Sequence, residues 1–364
     1  MQPEPATAEH YHRRWMGPTE HPARFAGAVG AAVAAFAVAL AWLVPGLRLY
    51  QLAMIGTLAI AMLGLNVLTG YNGQISLGHG AFIGIGGYTA AILVRDLAMP
   101  YPLAIVAAAA TTFVVGALIG IPGLRLPGSS LALVTLAFAF ALPQLIRKYD
   151  GLTGGSYGIY TLHDQQLNSP WSALDNDQFR YLVVVLVGTI LFWAGWNIVR
   201  GRWGLAMMAV RDHAISAGSM GVDVARTKVT AFAISAGFAG TAGALQYVVI
   251  GSVSPEQFSL VVSFSLVSGI VIGGLGTIAG ALVGAMFVVL VPYYSPELLP
   301  AAPAMLTGVA TVLFIILAPG GIIGLLRLLT GRLRRVAAPT SGDPPASGAV
   351  TGRDVRASVG TARI

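Results

Sequence analysis

Apolar residues fill most of the chain in long blocks, with polar or glycine-bearing breaks between them. Ten blocks stand out, at about 26–45, 49–69, 78–95, 102–122, 129–146, 181–199, 229–250, 260–275, 278–293 and 303–325, and they hold charges only at their ends. Most approach the ~20 residues that a helix needs to cross a hydrocarbon core of about 30 Å. The break Gly273-Gly274-Leu275-Gly276-Thr277 divides two of the shortest blocks. Two short spans and a re-entrant pair are both open there. One segment has a different pattern. Between Arg202 and Met220, Leu205, Met208, Ala209 and Ile215 recur at helical spacing among Arg211, Asp212 and His213. That pattern predicts an amphipathic helix outside the bilayer, broken at Gly221. An interfacial helix lying on lipid and a helix docked on another protein would both show it.

Composition strengthens the membrane reading. The 364 residues are 56% hydrophobic and 10% charged, with a mean hydropathy of +0.76; soluble domains carry about 25% charged residues. The expected fold is an all-α integral membrane protein, a polytopic helical bundle of about ten transmembrane or re-entrant helices. There is no cysteine, which excludes disulfides and thiolate metal sites. No His/Asp/Glu group has metal-ligand spacing either, so neither a metal nor a cofactor is expected.

The net charge of +7 suits nucleic acid or a membrane surface in general. Its distribution favours the positive-inside rule and no nucleic-acid partner. Arginines cluster at Arg13, Arg14 and Arg24, at Arg200, Arg202, Arg211 and Arg226 beside Lys228, and at Arg327, Arg332, Arg334 and Arg335. With ten spans, all three clusters fall on one side, expected to be cytoplasmic. The long 147–180 loop, with Asp150, Asp164, Asp175 and Asp177 against Arg147, Lys148 and Arg180, falls on the other. The expected organisation is a cytoplasmic tail over 1–24, a membrane domain over 25–326 with a cytoplasmic loop at about 200–228, and a tail over 327–364. The last is rich in Pro, Gly, Ser and Ala and is expected to be disordered. The N-terminal tail is polar for longer than a signal peptide allows.

Candidate chemistry concentrates in GYNGQISLGHGAFIGIGGYTA, residues 70–90. Gly80 and Gly84, like Gly280 and Gly284, have the Gly-x-x-x-Gly spacing that lets membrane helices approach closely. Asn72, Gln74, Ser76 and His79 precede the helical run. Non-helical backbone at membrane depth survives only where protein or a watery cavity satisfies its polar groups, and a helix N-terminus there offers N–H groups to a carboxylate. These four residues, together with Thr153, Gly154 and Gly155, are substrate-path candidates. His79 reads either as a proton-sensitive gate or as a hydrogen-bonded packing histidine. The Thr153-Gly154-Gly155-Ser156 turn reads either as an ordered contact for a binding protein or as a plain flexible turn.

Four collinear stretches carry a resemblance: residues 70–90, LTGGSYGI (Leu152 to Ile159), the 202–245 loop and helix, and SPEQFSL followed by VIGGLGTIAGALVGA (Ser254 to Ala285). Together they resemble the branched-chain amino-acid ABC transporter permeases of the LivM-like branch, over about Tyr50 to Leu326. The resemblance implies that the 202–225 loop is a coupling segment whose short helix docks into a groove on a cytoplasmic ATPase. It makes Arg211, Asp212, Ile215, Ser216, Ala217 and Gly221 coupling candidates, with Arg211 and Asp212 expected to face that groove. The chain departs from the importer pattern at Ile215, where an acidic residue is general, and from the family at Gly218, Phe140 and Ala281.

The resemblance also implies partners: two cytoplasmic ATP-binding subunits, a second related permease, a periplasmic or extracellular substrate-binding protein, and membrane lipid. Transport would be by alternating access in a bacterial inner membrane. The residues agree that energy comes from another chain, because the two lysines, Lys148 and Lys228, do not follow glycine and no Walker A sequence is present. An ion-coupled secondary carrier is the competing class. Such carriers use buried carboxylates, and no acidic residue lies between Glu20 and Asp96 or between Asp96 and Asp150. Carbonyl-built sodium sites remain open. Within the permease reading, urea or a short amide is the alternative cargo. A membrane enzyme has no supporting residue cluster.

Overall fold

A computed structural model describes residue 30 and residues 35–124, 128–161, 166–170, 174–298, 303–317 and 320–325. The two tails and most of the first apolar block lie outside these residues; the described part of that block is helical over 35–43.

The chain folds as a bundle of helices. In order they are α1 (Gly46–Asn66), α2 (His79–Leu97), α3 (Tyr101–Gly123), α4 (Gly128–Lys148), α5 (Asn176–Arg200), α6 (Arg202–Ser219), α7 (Val224–Ile250), α8 (Leu260–Gly273), α9 (Ile278–Leu298) and α10 (Pro303–Leu317). Among the described residues seven helices are long and apolar enough to cross a membrane: α1 with its extension to Tyr71, α2, α3, α4, α5, α7 and α9. At 1.5 Å per residue the 14-residue α8 reaches about 21 Å, short of the hydrocarbon thickness. Its turn into α9 therefore lies within the bundle.

The centre is α7, which packs on α1, α2 and α3, with α2 also against α3. Small residues make this possible. A Cβ on Gly86 of α2 would strike the Gly240 backbone of α7, and one on Gly243 would strike the Ile83 carbonyl. Where no side chain separates two backbones, dispersion contacts and lipid release hold the helices without a hydrophobic drive between them. Helices α3, α4 and α5 turn large apolar residues outward, such as Leu118, Leu133, Leu186 and Trp193. Such faces are lipid-compatible.

Polar caps close the helix ends outside the apolar blocks. Asp175 and Gln178 form a capping box at α5, and the Asp223 carboxylate accepts from Arg226 N at 2.9 Å at α7. Both supply partners for the orphan N–H groups of a first turn. At the far end of α7, Ser252–Val253 pairs antiparallel with Ile159–Tyr160. This ties the loop after α4 to the bundle.

Candidate functional site

The sequence that opens α2 is a break in the middle of packed helices. α1 ends in a π turn, Val67–Tyr71, and residues 72–78 are not helical. Asn72, Gln74, Ser76 and His79 are all buried. The structure brings these four candidates together and shows what satisfies them. Asn72 Nδ2 donates to Gln74 Oε1 at 3.0 Å. His79 Nδ1 lies 3.1 Å from Ser76 Oγ, and Nε2 lies 2.6 Å from Ser235 Oγ. Ser235 Oγ also donates to the Gly64 carbonyl at 2.6 Å. A hydroxyl has one proton, so Ser235, which donates to Gly64, accepts from His79 Nε2–H. The imidazole thereby joins α2, α7 and α1. Asn72 Oδ1 has no hydrogen-bond partner although it is buried.

The start of α2 is held from two sides. The Leu77 N–H donates to Thr135 Oγ1 of α4 at 3.0 Å, and the Gly80 N–H donates to Ser263 Oγ of α8 at 3.0 Å. The N–H groups expected to face a carboxylate thus have a protein hydroxyl at Gly80. The candidate packing glycines fall at contacts. A Cβ on Gly80 would sit 2.7 Å from Ser263 Oγ, and one on Gly84 would sit 3.1 Å from Phe258 Cγ and 3.0 Å from Leu142 Cδ2. Gly280 and Gly284 of α9 meet the backbones of Gly273 and Gly269 of α8.

Sequence reasoning missed Asn66. It is fully buried, its Nδ2 donates to the Thr277 carbonyl at 2.7 Å, and its Oδ1 accepts from Gly276 N at 2.8 Å. It fastens the α8–α9 turn to the C-terminal end of α1. The available signal was a carboxamide deep within the 49–69 block. Ser235, Thr135 and Ser263 were missed as well, because each is one of several hydroxyls in its apolar helix and nothing local marks it out.

Helix α6 runs over the predicted residues, with one difference. His213 has φ −152°, ψ 90° and divides it. Beyond that kink Ile215 and Met220 are 89% and 88% exposed, Ser216 is exposed and Ala217 buried. A groove of about 300 Å³ is lined by Asp212, His213, Ser216, Met220 and Val222, among others. Gly221 has φ +86°. Its N–H bonds to the Gly218 carbonyl at 3.0 Å, and Val222 N–H to the Ala217 carbonyl at 3.0 Å, which is a Schellman ending. Arg211 corrects the expectation that it faces outward. Its Nη1 donates to the Gly70 carbonyl at 2.7 Å, and its Nε meets Asp212 Oδ1 at 3.0 Å. The reason is local: the π turn leaves that carbonyl without its main-chain donor, and a guanidinium fills the place.

Thr153, Gly154 and Gly155 lie apart from this junction, in the loop after α4. Thr153 Oγ1 donates to the Ile146 carbonyl at 2.6 Å, and Gly154 and Gly155 have φ of +73° and +59°. The turn is ordered by hydrogen bonds. Arg95 at the end of α2 donates to the Leu152 carbonyl at 2.8 Å.

The chain matches a family model, "Branched-chain amino acid transport system / permease component", over residues 47–318. It is 33% identical over 290 residues to the high-affinity branched-chain amino acid transport system permease protein LivM of Escherichia coli (strain K12), covering 73% of this chain and 67% of that protein. The Salmonella typhimurium LivM is 32% identical over 286 residues, with the same coverage of each chain. The permease protein LivH of Escherichia coli (strain K12) is 24% identical over 284 residues, covering 74% of this chain and 91% of that one. No solved structure gives a significant match. With the match spanning α1 to α10, and with it the broken α1–α2 junction and α6, this chain belongs to the family of permease components of branched-chain amino acid transport systems.

Proposed function

We propose that this protein is the permease subunit of an ATP-driven importer of branched-chain or other amino acids. In this reading it pairs with a second related permease, two cytoplasmic ATP-binding subunits and a substrate-binding protein, and works by alternating access in the bacterial inner membrane. Its similarity to both LivM and LivH supports a core of two related permeases. The carrying observation is α6. It stands at one end of the bundle, it ends in a turn with φ +86° at Gly221, and it exposes Ile215 and Met220. Two large apolar side chains presented on a helix tip beside a groove suit a protein socket.

The substrate path in this reading runs by the 72–79 junction. A zwitterion needs polar groups where the bilayer supplies none, and this is where buried amides, hydroxyls and the imidazole gather. The ion-coupled reading finds less support. Among the described residues the buried polar side chains are amides, hydroxyls and an imidazole, with no carboxylate. The test is reconstitution with the partner subunits in liposomes. Uptake of a branched-chain amino acid should require ATP and the loaded binding protein and should persist without an ion gradient. Uptake driven by a proton or sodium gradient without ATP would refute the importer. Transport of urea or a short amide, with no amino acid transported, would refute the cargo assignment only.

A further inference from the structure

The π turn at the end of α1 has an unusual consequence. In an uninterrupted α-helix the Gly70 carbonyl would accept from Gln74 N–H. Here Gln74 N–H goes to the Leu68 carbonyl at 3.2 Å, and Asn72 N–H goes to the Val67 carbonyl at 3.2 Å. The Gly70 carbonyl is therefore released from the main chain and accepts from Arg211 Nη1 at 2.7 Å. The arginine stem lies on Gly73, where a Cβ would sit 2.5 Å from Arg211 Cγ and where φ is +74°. On its other side Gly70 abuts the α8–α9 turn: a Cβ there would sit 2.5 Å from Gly276 N. Asn66 holds that same turn through Gly276 and Thr277.

One guanidinium on an extramembrane helix thus completes the hydrogen bonding of a helix break inside the bundle. We propose that Arg211 is a positioning residue that holds the α1–α2 junction in its π-wound form, so that movement of α6 is transmitted to residues 70–79. The two states are defined by one carbonyl. With α6 in its present place, Gly70 accepts from Arg211 and residues 72–78 are unwound. When α6 moves away, the carbonyl needs a new donor, and the one an uninterrupted α-helix supplies is Gln74 N–H. Taking it rewinds the turn and shifts Asn72, Gln74 and Ser76 together. Single-turn π segments are rare and occur frequently at functional sites, and a two-state element whose equilibrium both sites bias is what coupling requires. The proposal rests on the reading of α6 as an ATPase-docking helix, and it reverses the direction in which Arg211 was expected to act.

The test uses the whole transporter, reconstituted with its partners. Ile75, 47% exposed within the broken segment, is replaced by cysteine in a chain that has no other, and its labelling by a maleimide is followed with and without nucleotide trapping. In the parent, trapping should change the labelling rate. Arg211→Met should keep the ATP-binding subunits bound, abolish that change, and lower uptake about ten-fold, within the usual range of coupling free energies. Arg211→Lys, which retains a cationic donor, should recover part of both. If Arg211→Met does not accumulate, Arg211→Gln, which keeps the stem on Gly73, decides by the same readings. A labelling change and uptake that survive in the Met or Gln variant would overturn the proposal. So would loss of the ATP-binding subunits from either, which would put Arg211 in the docking surface, or a parent whose Ile75 signal ignores nucleotide. Ile215→Asp separates the underlying reading. It should release the ATP-binding subunits, and if they stay bound and coupled, the docking assignment of α6 falls whatever Arg211 does.

Discussion

Asn66 joins segments of chain 210 residues apart, through Gly276 N and the Thr277 carbonyl. Both are main-chain groups of a turn that lies inside the bundle, where no water offers an alternative. Replacing Asn66 by Leu leaves both without their partner. The expected cost is about 1–2 kcal/mol, since polar contacts in membrane bundles are worth little more than that. It should appear as a lower unfolding midpoint of the purified protein in detergent. Thr57→Ala is the matched control. Thr57 is equally buried, but its hydroxyl only adds a second bond to the Met54 carbonyl within its own helix, so the shift should be much smaller. A carboxamide deep in an apolar block is visible in the sequence; its partner is not, because nothing local to residue 66 encodes residue 276. The same holds for His79. Its burial among polar neighbours was foreseeable from Ser76, three residues away, whereas Ser235 comes from a helix 156 residues on.

Helices were legible where one pattern decides them. The apolar blocks that became α1 to α5, α7 and α9 match the observed helices within a few residues, because a span needs little beyond length and the lack of charge. Gly-x-x-x-Gly spacing marked close approach but not its degree. Gly84 meets the Phe258 and Leu142 side chains, which can shift by a few tenths of an ångström. Gly86, without a Gly-x-x-x-Gly role in the sequence reading, meets the backbone of Gly240, which cannot. Gly86→Ala should therefore destabilise the bundle by at least the 1–3 kcal/mol typical of overpacking, and Gly84→Ala by clearly less. Yields of monodisperse protein and unfolding midpoints of the two variants check the order; equal values would refute it. Gly221 makes a different case. Nothing lies within 4 Å of a Cβ built there, so Gly221→Val creates no clash, but a β-branched residue at φ +86° is strained by about 1–3 kcal/mol. The Schellman ending should open and α6 should leave at another angle. In the proposed importer, Gly221→Val should reach the membrane and bind its ATP-binding subunits, yet lose the link between hydrolysis and uptake. Parent values for both rates would refute the role given to this turn.

At the scale of the whole molecule, orientation follows from geometry and charge together. The 25-residue α5 is about 37 Å long at 1.5 Å per residue, enough to put its two ends on opposite sides of the bilayer. At one end lies the loop with Arg147, Lys148 and Arg180 beside Asp150, Asp175 and Asp177; at the other lies α6, with Arg200, Arg202, Arg211, Arg226 and Lys228 in or beside it. In the proposed importer the α6 end is cytoplasmic, which agrees with the positive-inside rule, a count of Lys and Arg close to the span ends. Tyr157 and Ser216 report the two sides: Tyr157 is 84% exposed in the loop, and Ser216 is exposed on α6. Because the chain has no cysteine, Tyr157→Cys and Ser216→Cys each create its sole thiol. In intact cells an impermeant maleimide should label Tyr157→Cys, and Ser216→Cys should label only after the membrane is permeabilised. If the bound binding protein covers the loop, its removal should raise Tyr157→Cys labelling while leaving Ser216→Cys unreactive. The reverse pattern would place α6 outside the cell, where no ATP-binding subunit can reach Ile215 or Met220. The importer reading and the Arg211 link would then fall together, since both need a cytoplasmic α6 that nucleotide can move.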